Sequence, residues 1–189
     1  TKNIVSSESV FSNGINSLEK DSQGNLLLGL NKNYIYQYNS RNFDSENLLI
    51  GKKNRDAEKI TKIIQYSKDV LYYADDHNIN KVKLEKGKIK VSKATNEDLY
   101  SNIKDFEIIN NNEFYVGTAT GLTHQKNGKF NVLWYNRIVT LKYCNDSSLL
   151  IGTLAGMYVL RNNKIQPYGI NELNNITIYD IIENDRTLF

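Results

Sequence analysis

A short pattern of residues recurs along this chain and limits its fold more than any other feature. The pattern is a polar turn, a short apolar strand, a glycine and a second apolar strand, and its two clearest copies are 110–122 and 145–160. A third copy is 21–38, and a degenerate copy is 67–79. A sequence repeat of roughly 40–50 residues that contains several strands is typical of a β-propeller blade.

Each copy is preceded by one more apolar strand and followed by a last one, so a repeat contains four strands joined by turns. A single four-stranded meander cannot cover its own apolar faces and must pack against its neighbours. The sequence therefore predicts an all-β fold, a β-propeller segment of four-stranded antiparallel blades. About four blades are complete and part of a fifth is present. We expect them at 12–55, 56–95, 99–135 and 136–172, with the incomplete fifth at 173–189.

The equivalent glycine positions are held by Gly29, Ala74, Gly117 and Gly152. A glycine inside a strand pattern indicates a close approach of another backbone or a positive φ, and we expect one of these reasons here. The fifth repeat begins with an expected strand at 176–182 and ends within its second strand. Either residues 2–5, which lie outside the residues that the structure describes, help to complete this blade, or more protein follows. We favour the second and expect a fragment of a larger propeller, whose open apolar face favours association, with a homodimer as one form.

Composition excludes several function classes. Among 189 residues the net charge is only +3, with acids and bases well mixed, which argues against nucleic-acid binding. The single cysteine, Cys144, cannot form an internal disulfide or a Cys-rich zinc site, and we expect it to be buried. The sequence has no phosphate-binding loop, dinucleotide fingerprint or nucleophile elbow, and only two histidines, His77 and His124. We expect no catalytic residue, metal or cofactor, and an exposed His124.

The repeat unit, as it stands at 15–30, 103–122 and 138–160, resembles the two-component regulator propeller repeat. The resemblance covers nearly the whole chain, but its motif specifies blades and no ligand. The chain also departs from it, since the family's common tryptophan before Gly-Thr is absent from every copy. The residues in its place are Leu28, Tyr73, Val116 and Ile151.

This resemblance implies the periplasmic sensor domain of a hybrid two-component histidine kinase and response regulator. Its expected partners are an oligosaccharide or other small ligand, the rest of the propeller and a membrane-linked kinase. Two alternatives stay open: a protein-interaction scaffold of the same architecture, and a propeller lyase. A lyase would need a histidine and a metal beside the central channel.

Two groups of residues are candidate ligand contacts. Asp75, Asp76 and His77 replace the Gly-Thr turn of the other copies, and their oxygens and nitrogen could bind a cation or sugar hydroxyls. The alternative is a hairpin turn for which Asp and Asn are favoured for backbone reasons. Trp134 and Tyr135 lie between two blades and could stack on a sugar ring, or could fill the space between the blades.

Overall fold

The structure is a computed structural model that describes residues 14–31, 34–39, 45–46, 59–85, 88–95, 102–184 and 187–188. These residues form strands and one three-residue 3-10 turn, Asn171–Leu173. The part of the chain described here contains no helix that could cross a membrane. By its internal contacts the chain divides into two compact units, Thr1–Glu97 and Asp98–Phe189.

The first unit contains two four-stranded antiparallel sheets, blade 1 and blade 2. The strands of blade 1 are β1 (Ile15–Lys20), β2 (Leu26–Leu30), β3 (Ile35–Tyr38) and β4 (Ser45–Glu46). The strands of blade 2 are β5 (Lys62–Ser67), β6 (Val70–Ala74), β7 (Ile79–Glu85) and β8 (Lys88–Lys93). In both sheets the strands are adjacent in chain order, which is a simple meander.

The second unit repeats this arrangement in blades 3 and 4. The strands of blade 3 are β9 (Ile103–Asn110), β10 (Glu113–Thr118), β11 (Leu122–Lys126) and β12 (Lys129–Trp134). The strands of blade 4 are β13 (Ile138–Tyr143), β14 (Leu149–Thr153), β15 (Gly156–Arg161) and β16 (Lys164–Pro167). A two-stranded hairpin follows, formed by β17 (Glu183–Asn184) and β18 (Thr187–Leu188). The predicted all-β fold of four-stranded antiparallel propeller blades is confirmed.

Apolar clusters inside each unit hold its two blades together. In the first unit the buried core joins Leu27 and Ile35 of blade 1 to Ile60 and Ile63, which belong to the start of blade 2. In the second unit the corresponding core joins blade 3 to blade 4, and its buried members are Leu122, Ile138, Leu141, Leu149, Ile151 and Leu160. Each blade therefore buries its flank against a neighbour, as the repeat predicts.

The glycine at the end of the second strand makes room for an isoleucine of the next blade. A β-carbon added at Gly29 would lie 2.6 Å from Cγ2 of Ile60, and one at Gly117 would lie 2.5 Å from Cγ2 of Ile138. Neither glycine has a positive φ. The expectation of a backbone approach or a positive φ is therefore wrong for these two positions, because the approaching group is a side chain.

Hydrogen bonds between first strands repeat as well. The Ser17 hydroxyl of β1 accepts a 2.9 Å hydrogen bond from the backbone N–H of Ile63 in β5. At the equivalent place in the second unit, Oδ2 of Asp105 accepts hydrogen bonds from the Leu141 N–H (2.8 Å) and the Thr140 hydroxyl (3.0 Å). Both acceptors are buried, so these bonds fix how one blade lies on the next.

The start of the fifth repeat differs from expectation. Residues 176–182 form no strand, although a strand was predicted there. Even so, Ile178 packs onto blade 4 as Ile60 packs onto blade 1: its N–H donates to the carbonyl of Thr153 at 2.9 Å, and its Cγ2 would lie 2.9 Å from a β-carbon at Gly152. Ile181 is buried beside it in the same cluster. The segment keeps the contacts of a first strand without the strand ladder.

Candidate functional site

The turn between β6 and β7 places the first candidate group. Asp75 is 3% exposed, and its Oδ1 accepts hydrogen bonds from the backbone N–H groups of His77 (2.9 Å) and Asn78 (2.7 Å). Its other oxygen, Oδ2, accepts a 3.0 Å bond from the side-chain amide of Asn80. Asp75 is thus engaged in holding the turn, while Asp76 is half-buried and His77 is exposed.

In each blade of the second unit, a threonine holds the turn at this position. Oγ1 of Thr118 accepts from the N–H of Gly121 at 3.0 Å, and Oγ1 of Thr153 accepts from the N–H of Ala155 at 3.1 Å. Asp75 therefore takes the place of the threonine in the Gly-Thr motif and supplies an equivalent oxygen. This contact gives a physical reason for the departure of blade 2 from the repeat.

Trp134 and Tyr135, at the end of β12, have different surroundings. The Trp134 ring is partly buried against the core between blades 3 and 4, and its centroid lies 4.7 Å from that of Tyr158 in β15. The described residues provide no hydrogen-bond acceptor for the indole N–H. Tyr135 is 85% exposed. Trp134 fills space between the blades, as one alternative predicted, and still presents one side to a groove.

This groove lies between β12 of blade 3 and the last two strands of blade 4, β15 and β16, and has a volume of about 320 Å³. Its lining residues are Leu133, Trp134, Tyr158, Leu160, Asn163 and Ile165. Asn163 has a φ of 60° in the tight turn between β15 and β16 and brings an exposed amide to the groove. Two aromatic rings with an adjacent amide can stack on an apolar ring face and hydrogen-bond its polar substituents.

Sequence reasoning did not find Tyr158 or Asn163. Both belong to blade 4, whereas the aromatic pair that was predicted closes blade 3, so only the packing of the two blades brings them together. The Asn162–Asn163 pair before β16 was a usable signal in the sequence, because asparagine tolerates the positive φ that both residues adopt in this tight hairpin turn. Such a turn places side chains at the edge of a sheet.

A second polar cluster lies on blade 3. Nε2 of His124 lies 2.9 Å from Oε1 of Glu113, and its ring stacks on Tyr115 with centroids 4.7 Å apart. Lys126 lies 3.2 Å from the same Glu113 oxygen, and Asn110 donates to the other at 3.1 Å. The expectation of an exposed His124 is wrong, because Glu113 and Tyr115 on the adjacent strand cover part of its ring.

The pKa values in this cluster follow its packing. Burial alone would raise the pKa of Glu113, but the hydrogen bonds from His124, Lys126 and Asn110, together with the Lys126 charge, lower it below its usual value. Burial raises the pKa of the Tyr115 phenol, and the nearby Tyr143 and Glu113 raise it further. Glu113 is therefore a carboxylate held in its charged form by three donors.

A second cavity, of about 280 Å³, lies between blade 4 and the start of the fifth repeat. Its lining residues are Met157, Tyr168, Ile170, Leu173, Ile178, Asp180 and Ile181. By the repeat, this is where the later strands of a fifth blade would pack. Cys144 is buried in the adjoining cluster, as predicted.

Within the described residues, no group of three or more His, Cys, Asp or Glu side chains could hold a metal ion. The two predicted groups belong to different units, with Asp75, Asp76 and His77 in the first and Trp134 and Tyr135 in the second. Their role in binding a ligand stays a prediction.

No family model matches the sequence, and none of the curated proteins matches it. Solved structures, in contrast, match the fold over most of the chain. One is described as the extracellular domain of a hybrid two-component system from B. thetaiotaomicron, with 14% identity and a TM-score of 0.69 over 92% of this chain. The chain spans only 24% of that protein's length. The expected similarity to a two-component sensor propeller is thus found, at the level of the fold.

Two further structures match at similar levels. A structure of the nidogen–laminin complex has 10% identity and a TM-score of 0.69, over 93% of this chain and 71% of the matching one. A catalytically inactive virginiamycin B lyase from Staphylococcus aureus, with quinupristin, has 12% identity and a TM-score of 0.62, over 84% of this chain and 56% of the lyase. At these identities the similarity establishes the propeller fold alone.

Proposed function

We propose that this chain is part of the extracytoplasmic sensor propeller of a hybrid two-component signalling protein and recognises a carbohydrate-derived ligand. The similarity to the extracellular domain of a hybrid two-component system, over 92% of this chain, is the observation that supports the sensor role most directly. The repeat resemblance in the sequence points to the same class. In this proposal the segment binds a ligand without catalysing a reaction. It transmits the signal to the rest of the propeller and to a membrane-linked kinase.

The groove between blades 3 and 4 is the proposed ligand site. Trp134 and Tyr158 offer ring faces, the indole N–H offers a donor, and Asn163 offers an amide. The exposed Tyr135 directly follows Trp134 but does not line the groove, and it is a further aromatic candidate for ligand contact. Sugars present apolar C–H faces and ring hydroxyls, and this combination of aromatic and amide groups can bind both. Asp76 and His77, which belong to the first unit, stay candidates for a separate ligand contact.

Binding of a panel of glycan oligomers, measured by isothermal titration calorimetry, tests the proposal. We expect at least one oligomer to bind, and Tyr135→Ala to weaken it by roughly tenfold, which corresponds to about 1.4 kcal/mol. Trp134→Phe keeps the apolar filling between the blades but removes the indole donor, and should weaken binding as well. Tyr179→Ala, at an exposed tyrosine outside the groove, is the matched control.

Binding that survives both substitutions would place the ligand elsewhere and contradict the groove. If no oligomer binds while a protein partner does, the scaffold reading becomes the better one. That second candidate has one specific observation in its favour, the similarity to a structure of the nidogen–laminin complex.

A further inference from the structure

The side chains that line the groove between blades 3 and 4 change in chemical character along its length. Tyr158 lies at one end, beside the ring of Trp134. Leu160 and Ile165 are directly opposite each other in the β15–β16 register and form the middle. Asn163 lies in the turn beyond them. The groove therefore presents two aromatic rings, then an aliphatic middle, then one amide.

Strand geometry sets the spacing of these groups. Tyr158 and Leu160 are two residues apart on one face of β15, which separates them by about 7 Å. Leu160 is only 6% exposed, while Ile165 and Leu133 are half-buried, so the aliphatic middle is recessed between the two ends. A sugar ring stacked on the aromatic end would place a substituent of one ring carbon over this middle part.

The groove is also uncharged. Of the described residues that line it, none carries a charge. Arg161 and Lys164 form the next pair of the β15–β16 ladder. Because side chains alternate along a strand, this pair lies on the opposite face of the sheet from Leu160. There, Nη2 of Arg161 lies 3.0 Å from Oδ2 of Asp146. A charged ligand group would lose water in the groove without gaining an opposite charge.

We propose that the groove binds an N-acetylated hexosamine unit of a glycan, an inference that rests on the proposed function and names its ligand class. The pyranose ring stacks on Trp134, and the indole N–H donates to a ring hydroxyl. The acetamido methyl packs on Leu160 and Ile165, and the acetamido N–H and carbonyl pair with the side-chain amide of Asn163. A methyl followed by an amide matches the order of groups in the groove.

The same chemistry disfavours two related sugar classes. A plain hexose has a hydroxyl in place of the acetamido group, and the aliphatic middle would bury this hydroxyl without a hydrogen-bond partner. A hexosamine with a free amine, or a uronic acid, brings a charge that the lining does not neutralise. The acetamido group is uncharged and has both an apolar and a hydrogen-bonding part.

Isothermal titration calorimetry with three trisaccharides of the same linkage tests the proposal. They are the trimers of N-acetylglucosamine, of glucosamine and of glucose. We expect the N-acetylated trimer to bind at least about tenfold more tightly than either of the others, because it adds a buried methyl and a hydrogen bond.

Two glycine substitutions in one turn separate the role of the amide from that of the turn. Asn163→Gly removes the amide, and glycine readily adopts the φ of 60° found there. It should weaken binding of the N-acetylated trimer by about fivefold, and binding of the glucose trimer by less. Asn162→Gly is the matched control, since Asn162 has a φ of 49° in the same turn and does not line the groove. It should leave both affinities unchanged.

The results that would overturn this inference differ from those that would overturn the proposed function. Equal or tighter binding of the glucose or glucosamine trimer, or binding of another glycan but none of these trimers, contradicts the N-acetyl preference alone. A preference that survives Asn163→Gly, or that Asn162→Gly removes as fully, contradicts the role of the amide. If no glycan binds at all, the proposed function fails, and this inference fails with it.

Discussion

At the start of the β6–β7 turn, the Asp75 carboxylate accepts hydrogen bonds from the N–H groups of His77 and Asn78 and from the Asn80 amide. Thr118 and Thr153 serve the corresponding turns of blades 3 and 4 through one hydroxyl. In blades 2, 3 and 4 the turn therefore requires an oxygen at this position and accepts either side chain, whereas blade 1 has Leu30 there. A buried backbone N–H without an acceptor is costly, which is the physical reason for the requirement in those three blades.

This requirement predicts the effect of two substitutions at Asp75. Asp75→Ala leaves the turn N–H groups unsatisfied and should lower the free energy of unfolding by about 1–3 kcal/mol. Asp75→Thr restores an oxygen as in blades 3 and 4 and should recover more than half of that loss. Urea denaturation followed by circular dichroism measures both. Equal losses for the two variants would show that the turn does not depend on this oxygen.

Glu113 predicts a pH dependence of stability. The pKa of the Glu113 carboxyl is lower in the folded protein than its ordinary value of 4.5, so around pH 4.5 the unfolded chain binds more protons than the folded protein. The stabilisation that the charged Glu113 provides is therefore lost as the pH falls below about 4.5. Glu113→Gln should therefore lower the free energy of unfolding at pH 7 by about 1–3 kcal/mol, and by much less at acidic pH.

Urea denaturation of both proteins at several pH values checks this expectation. Glu172→Gln, at an exposed carboxylate in the 3-10 turn, is the control and should show no such difference. A constant difference between wild type and Glu113→Gln from pH 7 down to acidic pH would contradict the lowered pKa.

At the scale of the strand, the hairpins and their register could be predicted from local residues, but whether an apolar segment finds a partner strand could not. Polar turns and strand alternation mark β10 and β11 because both signals lie within one short stretch of sequence. The strand expected at 176–182 shows the opposite case. A ladder needs a partner, and the described residues after 182 form only the two-residue pairing of Glu183–Asn184 with Thr187–Leu188. Ile178 and Ile181 keep their packing because the contacts with blade 4 do not require a ladder.

The candidate site could be predicted in part for the same reason. Trp134 and Tyr135 stand out in the sequence as neighbours at the end of a strand, but Tyr158 reaches the groove only through the packing of blade 4 on blade 3. The contact between Tyr115 and His124 was within reach of sequence reasoning. The two residues are directly opposite in the β10–β11 register, so counting back from the turn at Gly121 would have paired them.

At the scale of the whole molecule, the repeat explains stability better than it explains function. Structures described as the extracellular domain of a hybrid two-component system, a nidogen–laminin complex and a lyase all share this fold at TM-scores of 0.62 to 0.69. A shared architecture with different activities means that function depends on residues added to the blades. The common element is the packing of blade on blade, in which an isoleucine of one blade occupies the space above a glycine of the preceding blade.

A double-mutant cycle on two such pairs tests this packing most directly. We measure the free energy of unfolding for Gly29→Ala and Gly117→Ala, each alone and combined with Ile60→Leu or Ile138→Leu, which removes the Cγ2 methyl that a β-carbon would meet. Each alanine should cost about 1–3 kcal/mol. Gly29 should couple to Ile60, and Gly117 to Ile138, by at least about 0.5 kcal/mol, while the crossed pairs should be additive. Additivity in all four pairs, or coupling in the crossed pairs alone, would contradict the account.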